Sequence, residues 1–142
     1  MRDILFRGKN KFGKWYYGFY TEGYYISGIP VSWIEIVDRK KKETDSPTVI
    51  PETVGQFTGL IDKNGTKIFE GDIGRYTQTD GAKRDGKLIT CIGKVIYNPK
   101  TASFAVESKD EAGCKYFDYF PIKNFEVIGN IHDNPELFKE DD

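Results

Sequence analysis

Sixteen residues near the middle of the chain restrict the fold more than any others. In the run from Thr58 to Ile73, Asn64-Gly65 stands between Leu60-Ile61 and Ile68-Phe69, the pattern of a two-residue type I′ β-hairpin. Both central residues of such a turn take positive φ, which Asn tolerates and Gly adopts freely. The stretch commits the chain to β architecture. It carries no chemistry of its own.

Taken in order, Ile4-Leu5-Phe6 opens a strand and residues 8–14 read as a turn-rich connection. Residues 15–20 (Trp-Tyr-Tyr-Gly-Phe-Tyr) place Trp15, Tyr17 and Phe19 on one strand face and Tyr16 and Tyr20 on the other. With Tyr24-Tyr25-Ile26 as a second strand, residues 14–27 are expected to form an aromatic hairpin. Trp33 to Val37 is a third strand. The polar run Asp38 to Pro47 reads as a mobile loop, and Pro51 to Val54 as one helical turn with Pro51 first. Residues 79–87 read as a long flexible tip.

The second half alternates more cleanly. Leu88 to Tyr97 puts Ile89, Cys91, Gly93, Val95 and Tyr97 on one face and Leu88, Thr90, Ile92, Lys94 and Ile96 on the other, so both faces are partly apolar and the strand is expected to be central. Ser103 to Glu107 pairs back, Tyr116 to Phe120 adds a short strand, Pro121 to Asn124 a 3₁₀-like turn, and Phe125 to His132 the last strand. Asn134 is placed to cap a short helical turn begun by Pro135. The fold class this predicts is mainly β: a small bent barrel, SH3-like in character, over residues 51–142, with an N-terminal aromatic-rich hairpin segment over residues 1–50 and only short helical turns. An aromatic share of 15% with 15 Gly favours strands and tight turns in the same way.

Three segments carry a family resemblance. Val49-Ile50-Pro51-Glu52-Thr53-Val54-Gly55-Gln56-Phe57-Thr58-Gly59-Leu60 followed by Asp62-Lys63-Asn64-Gly65 and Ile68-Phe69-Glu70-Gly71-Asp72-Ile73 is similar to the central signature of the YopX-like proteins of phages and prophages. Met1 to Arg7 resembles that family's opening strand, and Phe125 to Leu137 its closing strand and turn. The resemblance implies a β-rich fold and a phage-derived, intracellular setting in a bacterial host. It implies no catalytic residues.

Function classes narrow by elimination. A net charge of −1, with nine Lys/Arg against seven Asp/Glu over residues 1–57, gives no global pull toward nucleic acid or anionic membrane. No apolar run approaches the length of a membrane-spanning helix and the opening residues have no signal-peptide core, so a cytoplasmic chain is expected. In that compartment Cys91 and Cys114 are expected to stay reduced, as ordinary small residues. His132 is the only histidine, so no His-based metal cluster is available, and as a lone residue at a strand end it reads as a half-exposed turn residue. Asp62-x-Asn64-x-Thr66 lacks the glycine and glutamate positions of a calcium loop. Glu70 and Asp72 are spaced to share a strand face as paired carboxylates do in some hydrolases and metal sites, so a hydrolase or metal-dependent enzyme is the remote alternative to their bonding backbone amides or basic side chains. No catalytic residue, metal site or cofactor is assigned.

Two binding readings remain. In the first, Trp15, Tyr16, Tyr17, Tyr20, Tyr24, Tyr25 and Trp33 bury one face and present the other to a second copy or to a host or phage protein, since Tyr and Trp bury large areas at low entropic cost. A homo-oligomer is its leading form. In the alternative, the same aromatics stack on bases while Arg39, Lys40, Lys41, Lys42, Lys83, Arg84 and Lys87 contact phosphates. Acids flank both basic loops, which favours the first reading.

Overall fold

The structure is a computed structural model and describes residues 3–79, 85–109 and 124–139. The chain divides into two compact units, Met1–Gly59 and Leu60–Asp142. The first contains β1 (Phe6–Lys9), β2 (Trp15–Tyr24), β3 (Pro30–Asp38), β4 (Glu43–Asp45) and most of β5 (Ile50–Ile61). The second contains the end of β5, β6 (Lys67–Phe69), β7 (Asp72–Thr79), β8 (Leu88–Asn98), β9 (Ser103–Ser108), β10 (Glu126–Asn130) and a 3₁₀ turn at Pro135–Leu137.

In the first unit the strands lie in the order β4-β3-β2-β1-β5, all antiparallel. β2 changes partner along its length. Its first half pairs with β1, from Lys9↔Trp15 to Phe6↔Gly18, and its second half with β3, from Phe19↔Glu35 to Tyr24↔Pro30. It therefore runs straight through Tyr24, and the expected hairpin over residues 14–27 is replaced by a turn at Tyr25–Ile29. The charged run after Asp38 is not an open loop: β4 pairs back on β3 through Ile36↔Asp45, Val37↔Thr44 and Asp38↔Glu43. Asp38 Oδ1 shapes that turn by accepting the N–H groups of Lys40 and Lys41 at 3.0 and 3.1 Å.

The expected helical turn at Pro51 is likewise strand. Between Arg7↔Gly55 and Lys9↔Ile50 the β1–β5 register slips, and the extra residues, Pro51 among them, sit in the irregularity. A proline has no ladder N–H to lose there. The Thr53 hydroxyl takes over part of the ladder, accepting the Lys9 N–H at 2.8 Å and donating to the Ile50 carbonyl at 2.6 Å. Ile34, Val49 and Phe57 are the buried hydrophobic residues of this unit.

One turn design recurs three times. In Asn10–Lys14, Tyr25–Ile29 and Asp62–Thr66 the first residue donates its N–H to the fifth residue's carbonyl, and the glycine at the fourth position donates back to the first residue's carbonyl, at 2.8–3.1 Å. Gly13, Gly28 and Gly65 hold φ of +88°, +84° and +83°. This is the three-residue hairpin loop, a type I turn closed by a left-handed residue. It corrects the type I′ assignment at Asn64-Gly65, because Asn64 does not have positive φ. Asp62 decides the matter: its Oδ1 accepts the N–H groups of Asn64 and Thr66, both at 2.8 Å, which brings the loop to three residues.

The second unit is a four-stranded antiparallel sheet in the order β10-β7-β8-β9, with β8 central as its two-faced alternation predicts. Among the described residues the sheet stays open, so the expected barrel closure is not formed: β10 pairs with β7, and β9 with β8. The expected strand at Tyr116 to Phe120 lies outside the described residues, and of the expected turn at Pro121 to Asn124 only Asn124, in 3₁₀ conformation, is described. Ile68, Tyr76, Cys91, Val95, Val106 and Phe125 form the core. The Tyr76 and Phe125 rings stack at 6.1 Å and 20°, and a Cβ at Gly74 would clash with Cζ of the Phe125 ring. Burial pushes the Tyr76 phenol up to about 12, with a hydrogen bond to Ser108 pulling the other way.

Cys91 corrects the thiol expectation. It is fully buried and disulfide-bonded, while Cys114 lies outside the described residues. The C-terminal expectation holds in part. Pro135 does open the 3₁₀ turn, but the Asn134 side chain makes no cap bond to it and accepts the Asn130 N–H at 3.3 Å instead. His132 is a half-buried turn residue, its N–H held by Asn130 Oδ1 at 3.0 Å.

Asp62 is 5% exposed and ties the β5–β6 turn to β10, because its Oδ2 accepts the Val127 N–H at 2.9 Å. Burial raises its carboxyl pKa, but the three backbone donors and Lys63 together hold it below the usual aspartate value. Asp62→Ala should cost about 1.5–3 kcal/mol at neutral pH. Because the folded carboxyl titrates lower than the unfolded one, its contribution is full above the unfolded value and is lost as pH falls through the folded one. Chemical denaturation of the wild type and the variant at a series of acid pH values should show the two stability curves converging. Gly65→Val should cost about 1–3 kcal/mol, since open space surrounds a Cβ there and only backbone strain acts. An unchanged melting temperature would contradict the left-handed turn. Cys91→Ala should lower stability by about 2–4 kcal/mol relative to the oxidised chain, and the unreduced, denatured wild type should show no titratable thiol.

Candidate interaction surface

The end of the β2–β3 hairpin is where the structure spends apolar side chains on solvent. Tyr24 is 76% exposed, Tyr25 54%, Ile29 60%, and Ile26 at the apex is fully exposed. The backbone beneath them is well determined by Tyr25 N–H to Ile29 O at 2.9 Å and Gly28 N–H to Tyr25 O at 2.8 Å. A groove of about 400 Å³ adjoins this tip, lined by Glu22, Gly23, Tyr24, Pro30, Val31, Ser32 and Pro51. Two of these lining residues bond Tyr20, whose hydroxyl donates to Glu22 Oε1 at 2.6 Å and lies 3.3 Å from Ser32 Oγ. Burial, then the bond to Glu22, raises the Tyr20 pKa, so the phenol stays protonated and the bond persists across the neutral range.

The seven aromatics singled out by sequence do not form one surface. Trp15, Tyr16, Tyr20 and Trp33 are half-buried. The Arg7 guanidinium covers Trp15 at 4.8 Å, Lys14 Nζ lies 5.1 Å over Tyr16, Phe6 packs on Tyr20 at 6.0 Å, and Trp33 lies over Gly23. Tyr17 is exposed together with Phe19, but by strand parity both point to the face opposite Tyr20 and Tyr24. Only Tyr24 and Tyr25 reach the tip. Sequence reasoning missed Ile26 and Ile29, the other half of that patch, although Ser27-Gly28 is a turn signal inside the apolar run.

A family model described as YopX protein matches residues 5–139. The chain belongs to the YopX family. Among solved structures it is similar to the crystal structure of protein EF1440 from Enterococcus faecalis, with a TM-score of 0.55 and 24% identity over 98% of this chain and 100% of that one, a likeness of fold. No curated protein matches.

In this YopX family member the described basic residues proposed as phosphate contacts belong to different units. Arg39 to Lys42 occupy the β3–β4 turn of the first unit and Lys87 precedes β8 in the second, its N–H held by Asp85 Oδ1 at 3.0 Å. Lys83 and Arg84 lie outside the described residues. The acidic candidates have structural work instead. Asp72 is buried and its Oδ2 accepts the Phe69 N–H at 2.7 Å, as the backbone-bonding reading of the pair expects, while Glu70 sits in the turn outside the strand. Among the described residues no group of three or more His, Cys, Asp and Glu could hold a metal ion, and no helix is long and apolar enough to cross a membrane.

Proposed function

We propose that this chain is a non-enzymatic, phage- or prophage-type protein that binds protein through the β2–β3 tip, with a second copy of itself as the leading partner. The observation that carries the reading is the tip itself: four large apolar side chains, Tyr24, Tyr25, Ile26 and Ile29, each more than half exposed in or beside a three-residue loop held by two backbone hydrogen bonds. Exposed apolar clusters on a rigid element mark contact sites, and tyrosines serve there at low entropic cost. The adjoining groove gives the same patch both a projection and a recess, the requirement for a two-fold contact in which each copy receives the other's tip. Four side chains fall short of the roughly 800 Å² per partner of a standard interface, so the association is expected in the micromolar range.

Sedimentation velocity over a concentration series is the test. The wild type should shift from monomer to dimer, and Ile26→Asp should remove the shift without changing the melting temperature, since nothing packs on Ile26. A tagged pull-down with and without nuclease separates the readings further: a nuclease-resistant protein in place of the dimer would make the tip a hetero-partner site. A monomer at every concentration with no such protein would overturn the proposal.

A further inference from the structure

A second site lies on the β1–β2 hairpin, where no phosphate contact is expected from sequence. Residues 4–21 hold Arg7, Lys9, Lys11 and Lys14 and no Asp or Glu, a local excess that the count over residues 1–57 conceals. The Arg39–Lys42 turn, by contrast, carries its four cations among Asp38, Glu43 and Asp45. The turn Asn10–Lys14 is fixed by its two backbone bonds and by Asn10 Oδ1, which accepts the Phe12 and Lys14 N–H groups at 3.0 and 2.9 Å. Phe12 consequently projects at the apex, 83% exposed, with Lys11 Nζ 5.1 Å from its ring centre. Behind it the cations alternate with rings: Lys14 over Tyr16 at 5.1 Å, Lys9 5.9 Å and Arg7 4.8 Å from Trp15. By register the acid nearest on the neighbouring strand is Glu52, two residues beyond Ile50, the partner of Lys9.

We infer that this hairpin binds single-stranded nucleic acid, with Lys9, Lys11 and Lys14 on phosphates and Phe12 stacked on a base. A positive surface with an exposed ring held on a rigid turn is what a single strand requires, because each unpaired base offers a π-face. One phenyl ring is too little apolar area to hold a membrane surface. A duplex would leave Phe12 without a partner.

Fluorescence anisotropy of a labelled single-stranded oligothymidylate with the full chain tests this, titrated between about 50 and 200 mM salt. Removing two phosphate contacts with Lys11→Ala and Lys14→Ala should reduce the slope of log K against log salt by about 1.4, and Phe12→Ala should weaken binding roughly tenfold. A charge-reversal pair, Lys11→Glu with Lys14→Glu, should abolish binding at the higher salt. Lys100→Glu with Lys139→Glu, exposed positions of the second unit, changes net charge equally and should cost far less. The inference is overturned if no binding occurs at low salt or if both charge-reversal pairs weaken it alike. It is also overturned if Phe12→Ala is neutral while duplex binds as tightly, or if the chain sediments with anionic phosphatidylserine vesicles and ignores the oligonucleotide.

Discussion

The second unit depends on one carboxylate. Asp62 accepts three backbone N–H groups, two from its own turn and one from Val127 in a strand that closes the chain more than sixty residues later. The neighbouring Lys63 N–H reaches the carbonyl of Phe125, the residue before β10, at 3.1 Å, so the same turn is tied to this part of the chain twice. Phe125 in turn fills the space over Gly74 and stacks on Tyr76 at the centre of the core. Salt links outside, from Glu126 to Arg75 at 3.2 Å and to Lys63 at 3.5 Å, are exposed and add little by comparison. A buried acceptor serving three donors is worth more than such pairs because every donor it releases would need water that the site does not admit freely.

Much of this was legible in order along the chain and little of it across the chain. β8 was readable because a strand buried on both sides alternates Cys91, Gly93 and Val95 against half-buried Ile92 and Ile96. The place of the Asn64-Gly65 turn was readable, but its length was not, since Asp62 sets it from outside the two residues that signal it. β4 escaped notice because all three of its residues are exposed and polar, so no alternation exists to betray a strand. The aromatic surface was half legible: composition located it between Trp15 and Trp33, whereas the split into covered and projecting rings follows from the partner change of β2 and the turn at Tyr25–Ile29. The Cys91 bond is one that neither spacing nor compartment could supply.

The first unit separates its two kinds of surface by topology. β2 joins the two turns that frame them, so its length keeps the Lys-rich, Phe12-bearing loop at one end of the strand and the Tyr24 to Ile29 loop at the other. Each loop uses the same backbone solution with a different first residue, Asn10 in one and Tyr25 in the other. Only the side chains distinguish a cationic apex from an apolar one. A single β-meander can in this way offer two chemistries without enlarging its core.

The short strand β4 carries a further consequence. It ends the first unit's meander, with Glu43, Thr44 and Asp45 all open to solvent. An outermost strand with free backbone groups invites another chain to continue the sheet, and three residues bearing two carboxylates discourage that, both by their brevity and by repulsion between identical copies. Growth by strand addition is thereby suppressed on this side of the meander.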